Sequence, residues 1–397
     1  MLIFSQLKNT LLYYVIWLQM KIFNRYTYLF LGLLVIAAFV LINFIPNLET
    51  EEFDQQVIDN IIEGVTTTTE PTQNQDVVSS EQTTENIENE ENIIITEEDL
   101  PKIEDLLKFN EINEEITNFD AYLLIGSDER SAEIAQTRGA IQGKRADVII
   151  LGLVEKSTKE MTLISFPRDL LIQNKCTGEY ERINASYTKN NCGGRAENLA
   201  AAIYSISGIR VTNFASFDFE GFEEIIDSVD GIEICVDKTQ REGFSFELQK
   251  GCQNVQGLIA LNWIVSRSTE VLVGDKVIDE DGNDISEWKP MPGVSDLSRI
   301  DRQQYVVMQL IKELRNFESI NELSSFVNAL ENSFIIDETL SINKAVELLW
   351  TFRNIELNNI TKLTTPVDFV TLNDGRQVLV LNKSINDFLV SKSVIDS

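Results

Sequence analysis

The chain of 397 residues contains no histidine. Histidine is the commonest general base and the commonest transition-metal ligand, so any catalysis must use carboxylates, arginines and a hard cation, or serine and lysine. Lysine and arginine are missing from residues 26–101, where glutamate and aspartate are frequent. Net charge over the whole chain is −30. A field of that sign repels phosphate backbones and argues against nucleic acid as a partner. Cysteine is scarce: Cys176, Cys192, Cys235 and Cys252 are the full set. Their spacings are too wide for the close pairs of zinc fingers, and no histidine is present to complete such a site. No internal repeat and no second catalytic domain is evident.

What is present divides the chain into segments. Residues 28–45 carry no charge. At about 1.5 Å per residue they reach roughly 27 Å, adequate for a bilayer core. Lys21 and Arg25 precede this run and acids follow it. The positive-inside rule then leaves residues 1–27 in the cytoplasm and the bulk of the protein outside. No small-x-small cleavage site follows, which favours an anchor over a removed signal peptide. Residues 46–101 are rich in Glu, Thr, Asn and Gln and include Thr66-Thr67-Thr68-Thr69. Such a composition predicts a disordered acidic stalk. A folded domain is expected over residues 102–370, with residues 371–397 as its C-terminal tail. The cysteines all fall in the part placed outside. An even number in an exported domain favours two disulfides, of three possible connectivities. Cys176–Cys192 with Cys235–Cys252 closes two short loops and is the expected pairing.

The apolar pattern of the domain alternates between two periods. Short apolar runs at 121–125, 147–154 and 161–166 predict strands, the last two forming a hairpin around the polar turn 155–160. Helical spacing is expected over 197–207, 222–229, 257–266 and, as a long amphipathic helix, 297–314. Residues 214–219, 232–236 and 377–381 read as further strands, and 318–364 as mostly helical. Strands interleaved with helices predict an α/β domain layered around a mixed sheet.

Arginine and aspartate recur where these strands end and on the long helix. The stretches are Gly126-Ser127-Asp128-Glu129-Arg130, Arg145-Ala146-Asp147, Ser165-Phe166-Pro167-Arg168-Asp169 and Asp296-Leu297-Ser298-Arg299-Ile300-Asp301-Arg302-Gln303-Gln304. Taken singly, each has an ordinary explanation: Asp128 as a turn or helix cap, Asp147 as the exposed start of a strand, Arg299 and Arg302 as a solvated helix face. As a set they point to an anionic ligand. A guanidinium never loses its charge at working pH and donates a planar fork of hydrogen bonds to phosphate. Paired aspartates suit Mg²⁺, which takes one or two carboxylates and fills its shell with water and phosphate oxygens.

These stretches together resemble the LytR–CpsA–Psr family of cell-envelope proteins, over residues 121–314 and more loosely to 370. Arg182-Ile183-Asn184-Ala185-Ser186-Tyr187, Phe217-Asp218-Phe219-Glu220-Gly221-Phe222, Val229-Asp230-Gly231-Ile232 and Ala260-Leu261-Asn262-Trp263-Ile264-Val265-Ser266-Arg267 add to the likeness. The placing of the cysteines resembles actinobacterial members. The resemblance implies a mixed sheet flanked by helices, with an apolar groove for a lipid tail. It also implies a membrane-anchored phosphotransferase that moves a glycopolymer from a polyprenyl-pyrophosphate carrier to peptidoglycan, with Mg²⁺. Carried over, it makes Arg168, Asp169, Arg299 and Gln303 catalytic and gives the phosphates to Arg130, Arg145, Arg182, Arg267 and Arg302. The metal falls to Asp128 and Asp147. Where the family usually has Arg-x-Arg, this chain has Val265-Ser266-Arg267. That departure keeps in view a non-catalytic module that binds polyprenyl phosphate or wall polymer; a lipid pyrophosphatase, the same site with water as acceptor, is a second alternative.

Overall fold

A computed structural model describes residues 50–51, 53–63, 103, 105–112, 114–127, 145–188, 193–330, 333–337, 340–372 and 375–395. The chain divides into two units, Met1–Leu48 and Glu49–Ser397, and the described residues belong to the second. The expected membrane span at 28–45 lies outside them. Among the described residues no helix is long and apolar enough to cross a membrane.

The elements follow in chain order. β1 (Thr50–Glu51) and α1 (Gln55–Glu63) come first, then β2 (Phe119–Ser127), β3 (Ala146–Glu155), β4 (Met161–Ser165), β5 (Leu171–Gln173) and β6 (Tyr180–Arg182). Next are α2 (Ile183–Ser186), α3 (Arg195–Ser207), β7 (Asn213–Phe217), α4 (Phe219–Ser228), β8 (Ile232–Val236), β9 (Gln240–Glu242), β10 (Phe246–Leu248) and β11 (Gly251–Val255). The rest comprises α5 (Gly257–Val265), β12 (Glu270–Val273), β13 (Glu287–Pro290), α6 (Asp296–Glu313), α7 (Ile320–Ala329), β14 (Ile335–Asp337), α8 (Ile342–Phe352), β15 (Ile360–Thr364), β16 (Val367–Thr371), β17 (Gln377–Leu381) and α9 (Ile385–Ser391).

Seven strands make the main sheet, in the order β1-β14-β7-β2-β3-β4-β15. β2, β3 and β4 form an antiparallel meander, while β7 and β15 join it in parallel, so the sheet is mixed as expected. Period-2 alternation splits its apolar residues between two layers. Leu123, Ile125, Ile149, Leu151 and Leu153 face a core completed by Leu199, Ile203 and Ile206 of α3. Tyr122, Leu124, Val148 and Ile150 face the other way, onto Val307, Met308 and Ile311 of α6 and Phe352 of α8. A further apolar cluster joins α4, α5, β8 and β10 to Val306 of α6. Gly208 ends α3 in the left-handed region (φ 69°), where a side chain is disfavoured.

Two expectations need correction. Residues 50–63 belong to the folded unit rather than to a disordered stalk. Phe53, Ile58 and Ile61 are buried in the α3-side core, and Phe53 packs on Phe214. Two apolar side chains on one face of a short helix, with Phe53 just before it, outweigh an acidic average taken over more than fifty residues. The 318–364 stretch also contributes sheet strands, β14 and β15. These are short and ride on neighbours already in place, so their own periodicity is weak. Residues after 370 supply core: Leu381, Ile385 and Leu389 are buried with α3.

Candidate functional site

Antiparallel pairing of β3 with both β2 and β4 sets the start of β3 beside the ends of its two neighbours. The register runs Gly126↔Val148 and Ser127↔Ala146, with an irregularity between Gly126 and Ser127. A Cβ at Gly126 would lie 2.8 Å from Val148 Cβ, so the close approach at this edge requires glycine. On the other side, Phe166 N donates to Ile149 O, and the chain leaves the sheet at Pro167. Arg168 and Asp169 are therefore delivered next to Asp147.

The ion pairs at this edge are specific. Arg168 Nη1 donates to Asp147 Oδ1 at 2.7 Å, and its Nε lies 3.5 Å from Asp169 Oδ2. Asp169 Oδ1 lies 3.4 Å from Arg182 Nε, and Arg182 Nη2 donates to the Gln377 carbonyl at 3.0 Å. One carboxylate thus holds two arginines. Burial acts to lower the Arg168 pKa, but Asp147 and Asp169 together outweigh it and the net shift is upward.

Arg299 enters from α6. Ser295 and Ser298 form a capping box that starts this helix and fixes its first turn, where Arg299 follows. Arg299 is 7% exposed. Its pKa is pushed down to about 10, first by burial and then by repulsion from Arg168 and Arg267, with Asp147 and Asp169 opposing. Arg168 and Arg267 are each close enough to act on Arg299, and an anion placed beside Arg299 would relieve that repulsion.

Some expected members do not join. Arg302 turns away: Nη1 donates to the Trp263 carbonyl at 2.7 Å and Nη2 to Thr269 Oγ1 at 3.1 Å. Trp263 lies in the last turn of α5, whose carbonyls have no partner within the helix, so a nearby guanidinium is drawn to them. The expectation of a phosphate ligand at Arg302 is corrected to a structural tie. Arg145 is half-buried ahead of β3, and Gln303 is largely buried one turn beyond Arg299. Asp128 and Arg130 lie outside the described residues. Val265 packs in the apolar cluster of α4 and α5, so no charge replaces the second arginine of the usual motif. Gln304 was not singled out by sequence. Its Nε2 donates to Ser165 Oγ at 2.8 Å and to the Leu363 carbonyl at 2.7 Å, fixing α6 against β4 and β15.

The disulfide expectation holds where it is described. Cys235 and Cys252 are bonded, as directly opposed residues of β8 and β11. Cys176 is also disulfide-bonded, and Cys192 lies outside the described residues. The exposed group of Glu233, Cys235 and Cys252 is no metal site, because both sulfurs are consumed in the bond. Of the two aspartates expected to hold Mg²⁺, Asp147 is described, and Arg168 donates to one of its oxygens.

A mixed sheet between helical layers, with arginines and carboxylates gathered where strands end, defines an α/β domain suited to an anionic ligand. The sequence profile of the LytR_cpsA_psr family matches residues 74–276 and 289–392, and the chain belongs to that family. It is 25% identical over 284 residues to polyisoprenyl-teichoic acid–peptidoglycan teichoic acid transferase TagU of Oceanobacillus iheyensis, covering 70% of this chain and 76% of that protein. It is 30% identical over 164 residues to the probable cell wall biosynthesis protein LcpB of Corynebacterium glutamicum, covering 40% of this chain and 38% of LcpB. With LcpA of the same organism the match covers 49% of the relative, so the chain spans less than half the length of both corynebacterial proteins. In fold it is similar to the crystal structure of B. subtilis TagV, with a TM-score of 0.53 at 20% identity over 70% of this chain and 97% of that one.

Proposed function

We propose that the protein transfers a glycopolymer from a polyprenyl-pyrophosphate carrier to peptidoglycan. The observation that carries this reading is the convergence of Arg168, Arg267 and Arg299 with Asp147 and Asp169 at one edge of the sheet. The cluster belongs to a member of a family that includes a named teichoic acid transferase. In the step proposed, an acceptor hydroxyl oxygen attacks the sugar-linked phosphorus. The bond from that phosphorus to the bridging oxygen breaks, polyprenyl phosphate leaves with the electron pair, and the hydroxyl proton passes to water. Such transfers depend mainly on positioning and on neutralising charge over the phosphoryl oxygens. Arg168 and Arg299 supply fixed positive charge, and Arg267 adds a more exposed third. Asp169 orients Arg168 and Arg182 by pairing with both. Mg²⁺, when bound, would neutralise further phosphate charge, held by Asp147 and by Asp128 outside the described residues.

We place the folded unit outside the membrane, anchored by residues 28–45. The Cys235–Cys252 bond supports an oxidising compartment.

The test is turnover of geranylgeranyl pyrophosphate by the full chain in detergent, with and without Mg²⁺, beside Arg168→Ala. Metal-dependent formation of geranylgeranyl phosphate is expected, requiring added peptidoglycan as the acceptor of the terminal phosphoryl group and lost in Arg168→Ala. Phosphate release independent of peptidoglycan would identify a pyrophosphatase instead. Val265 favours a second reading, a carrier-binding module without turnover. Tight lipid binding with no release, and release gained in Val265→Arg, would establish it.

A further inference from the structure

A cleft of ≈ 410 Å³ lies next to the arginine cluster, between β9, β12, the turn after β13 and the first turns of α6. Its wall includes Ser298 and Arg302, which flank Arg299 along α6, and Trp263, four residues before Arg267. Its size falls within the range of small-ligand sites. Val271 and Met291 give it an apolar lining, and the exposed Asp237 and Lys238 bring opposite charges to its rim. Arg302, already tied to the Trp263 carbonyl and Thr269, has Glu242 to offset its charge. The cleft therefore lacks the surplus of positive charge that marks the neighbouring cluster.

Two of its lining residues are buried polar groups with unmet hydrogen bonds. Gln240 is 5% exposed and its Oε1 has no partner; Trp263 is 6% exposed and its Nε1 has none. One is an acceptor and the other a donor. Buried polar groups are almost always satisfied, and an unsatisfied pair lining one cleft marks a place for a ligand that both donates and accepts. A hydroxyl does both.

We propose that this cleft is a subsite for a neutral, hydroxyl-rich saccharide unit, seated beside the phosphate cluster as the acceptor. Identification as the acceptor rests on the transfer reading above; the saccharide site itself stands on Gln240, Trp263 and the charge balance of the cleft. Both atoms are covered by neighbouring groups, so binding requires each side chain to turn toward the cleft.

The experiment titrates the full chain in detergent with chitotetraose, a soluble β-1,4 N-acetylglucosamine oligomer, and separately with inorganic pyrophosphate. Gln240→Leu, Trp263→Phe and Arg299→Met are compared with the unaltered chain. Chitotetraose binding should weaken about tenfold in Gln240→Leu and Trp263→Phe, the loss of one good hydrogen bond, while pyrophosphate binding is unchanged. Arg299→Met should show the reverse. In the unaltered chain the Trp263 indole N–H resonance, identified by its absence in Trp263→Phe while the other indole signals keep their positions, should move on adding saccharide; that readout does not depend on the folding of Gln240→Leu. Equal saccharide binding in both cleft variants together with a static indole signal overturns the proposal. So does absence of saccharide binding in a chain that binds pyrophosphate. Saccharide bound through Gln240 and Trp263 without any pyrophosphate binding would remove the transfer reading and leave the subsite.

Discussion

Arg299 and Arg302 stand three residues apart on α6 and have different tasks. Arg302 is tied to a helix-end carbonyl and a threonine. Replacing it with Met should destabilise the fold by about 2 kcal/mol, because the Trp263 carbonyl is left buried without a partner. Arg299 is held charged against burial and two like charges. Its folded pKa lies below the unfolded value, so its charge works against the folded state at pH values below about 10, and that penalty fades as pH rises through about 10. Arg299→Met should accordingly raise the melting temperature of the ligand-free protein at neutral pH, by the equivalent of about 1–2 kcal/mol. The same variant should lose most of the thermal stabilisation that pyrophosphate gives the unaltered protein. A lower melting temperature without ligand would contradict this account of the cluster. Pyrophosphate affinity should also fall as pH is raised past about 10 in the unaltered protein, a fall that Arg299→Met should not show.

At the level of elements, the site depends on how α6 is fastened to the sheet. The Gln304 side chain reaches both β4 and β15. Gln304→Leu should cost about 2 kcal/mol, measured by denaturant unfolding, because two buried acceptors lose their donor. It should also weaken pyrophosphate binding although Gln304 is not itself assigned to the ligand, since Arg299 moves with the helix. The β8–β11 pair is fastened by Cys235–Cys252, with a sequence separation of 17. Replacing Cys235 and Cys252 together with serine should remove roughly 3 kcal/mol by the loop-entropy argument. Because Cys235 also lines the cleft, saccharide binding should suffer from this replacement more than pyrophosphate binding does. The acidic stretch after α5 is organised as a hairpin in which Arg241 pairs with both Glu270 and Asp284. The family match leaves out residues 277–288, which form part of this hairpin.

For the molecule as a whole, the folded unit begins well before residue 102. Gln55 donates to the Val211 carbonyl, Arg210 pairs with Asp59, and Phe53, Ile58 and Ile61 are in the core. A chain beginning at residue 102 should be less stable than one beginning at 49, by about 1.5–3 kcal/mol for each apolar side chain lost. Comparing their unfolding curves checks this directly. Equal stability would place α1 outside the cooperative unit.

The sequence by itself disclosed the meander β2–β4, the strands β7 and β8 and the helices α3 to α6, but not the short strands β5, β6 and β9 to β13. It also determined the mixed α/β class and the Cys235–Cys252 pairing. These rest on local periodicity, turn residues and recognisable motifs, which act over a few positions. It also supplied Arg168, Asp169, Asp147 and Arg299 as candidates, because charged residues at strand ends are unusual enough to notice. Only the tertiary structure decided that Arg302 turns toward α5, since one helix face cannot disclose which carbonyl waits beside it. Only the fold recruited residues 50–63 and the strands β14 and β15, whose short segments gain stability from partners far along the chain. The cleft with Gln240 and Trp263 was hidden for the same reason: its walls come from segments between Cys235 and Arg302 that meet only when the four-stranded sheet β10-β9-β12-β13 forms beside α5 and α6.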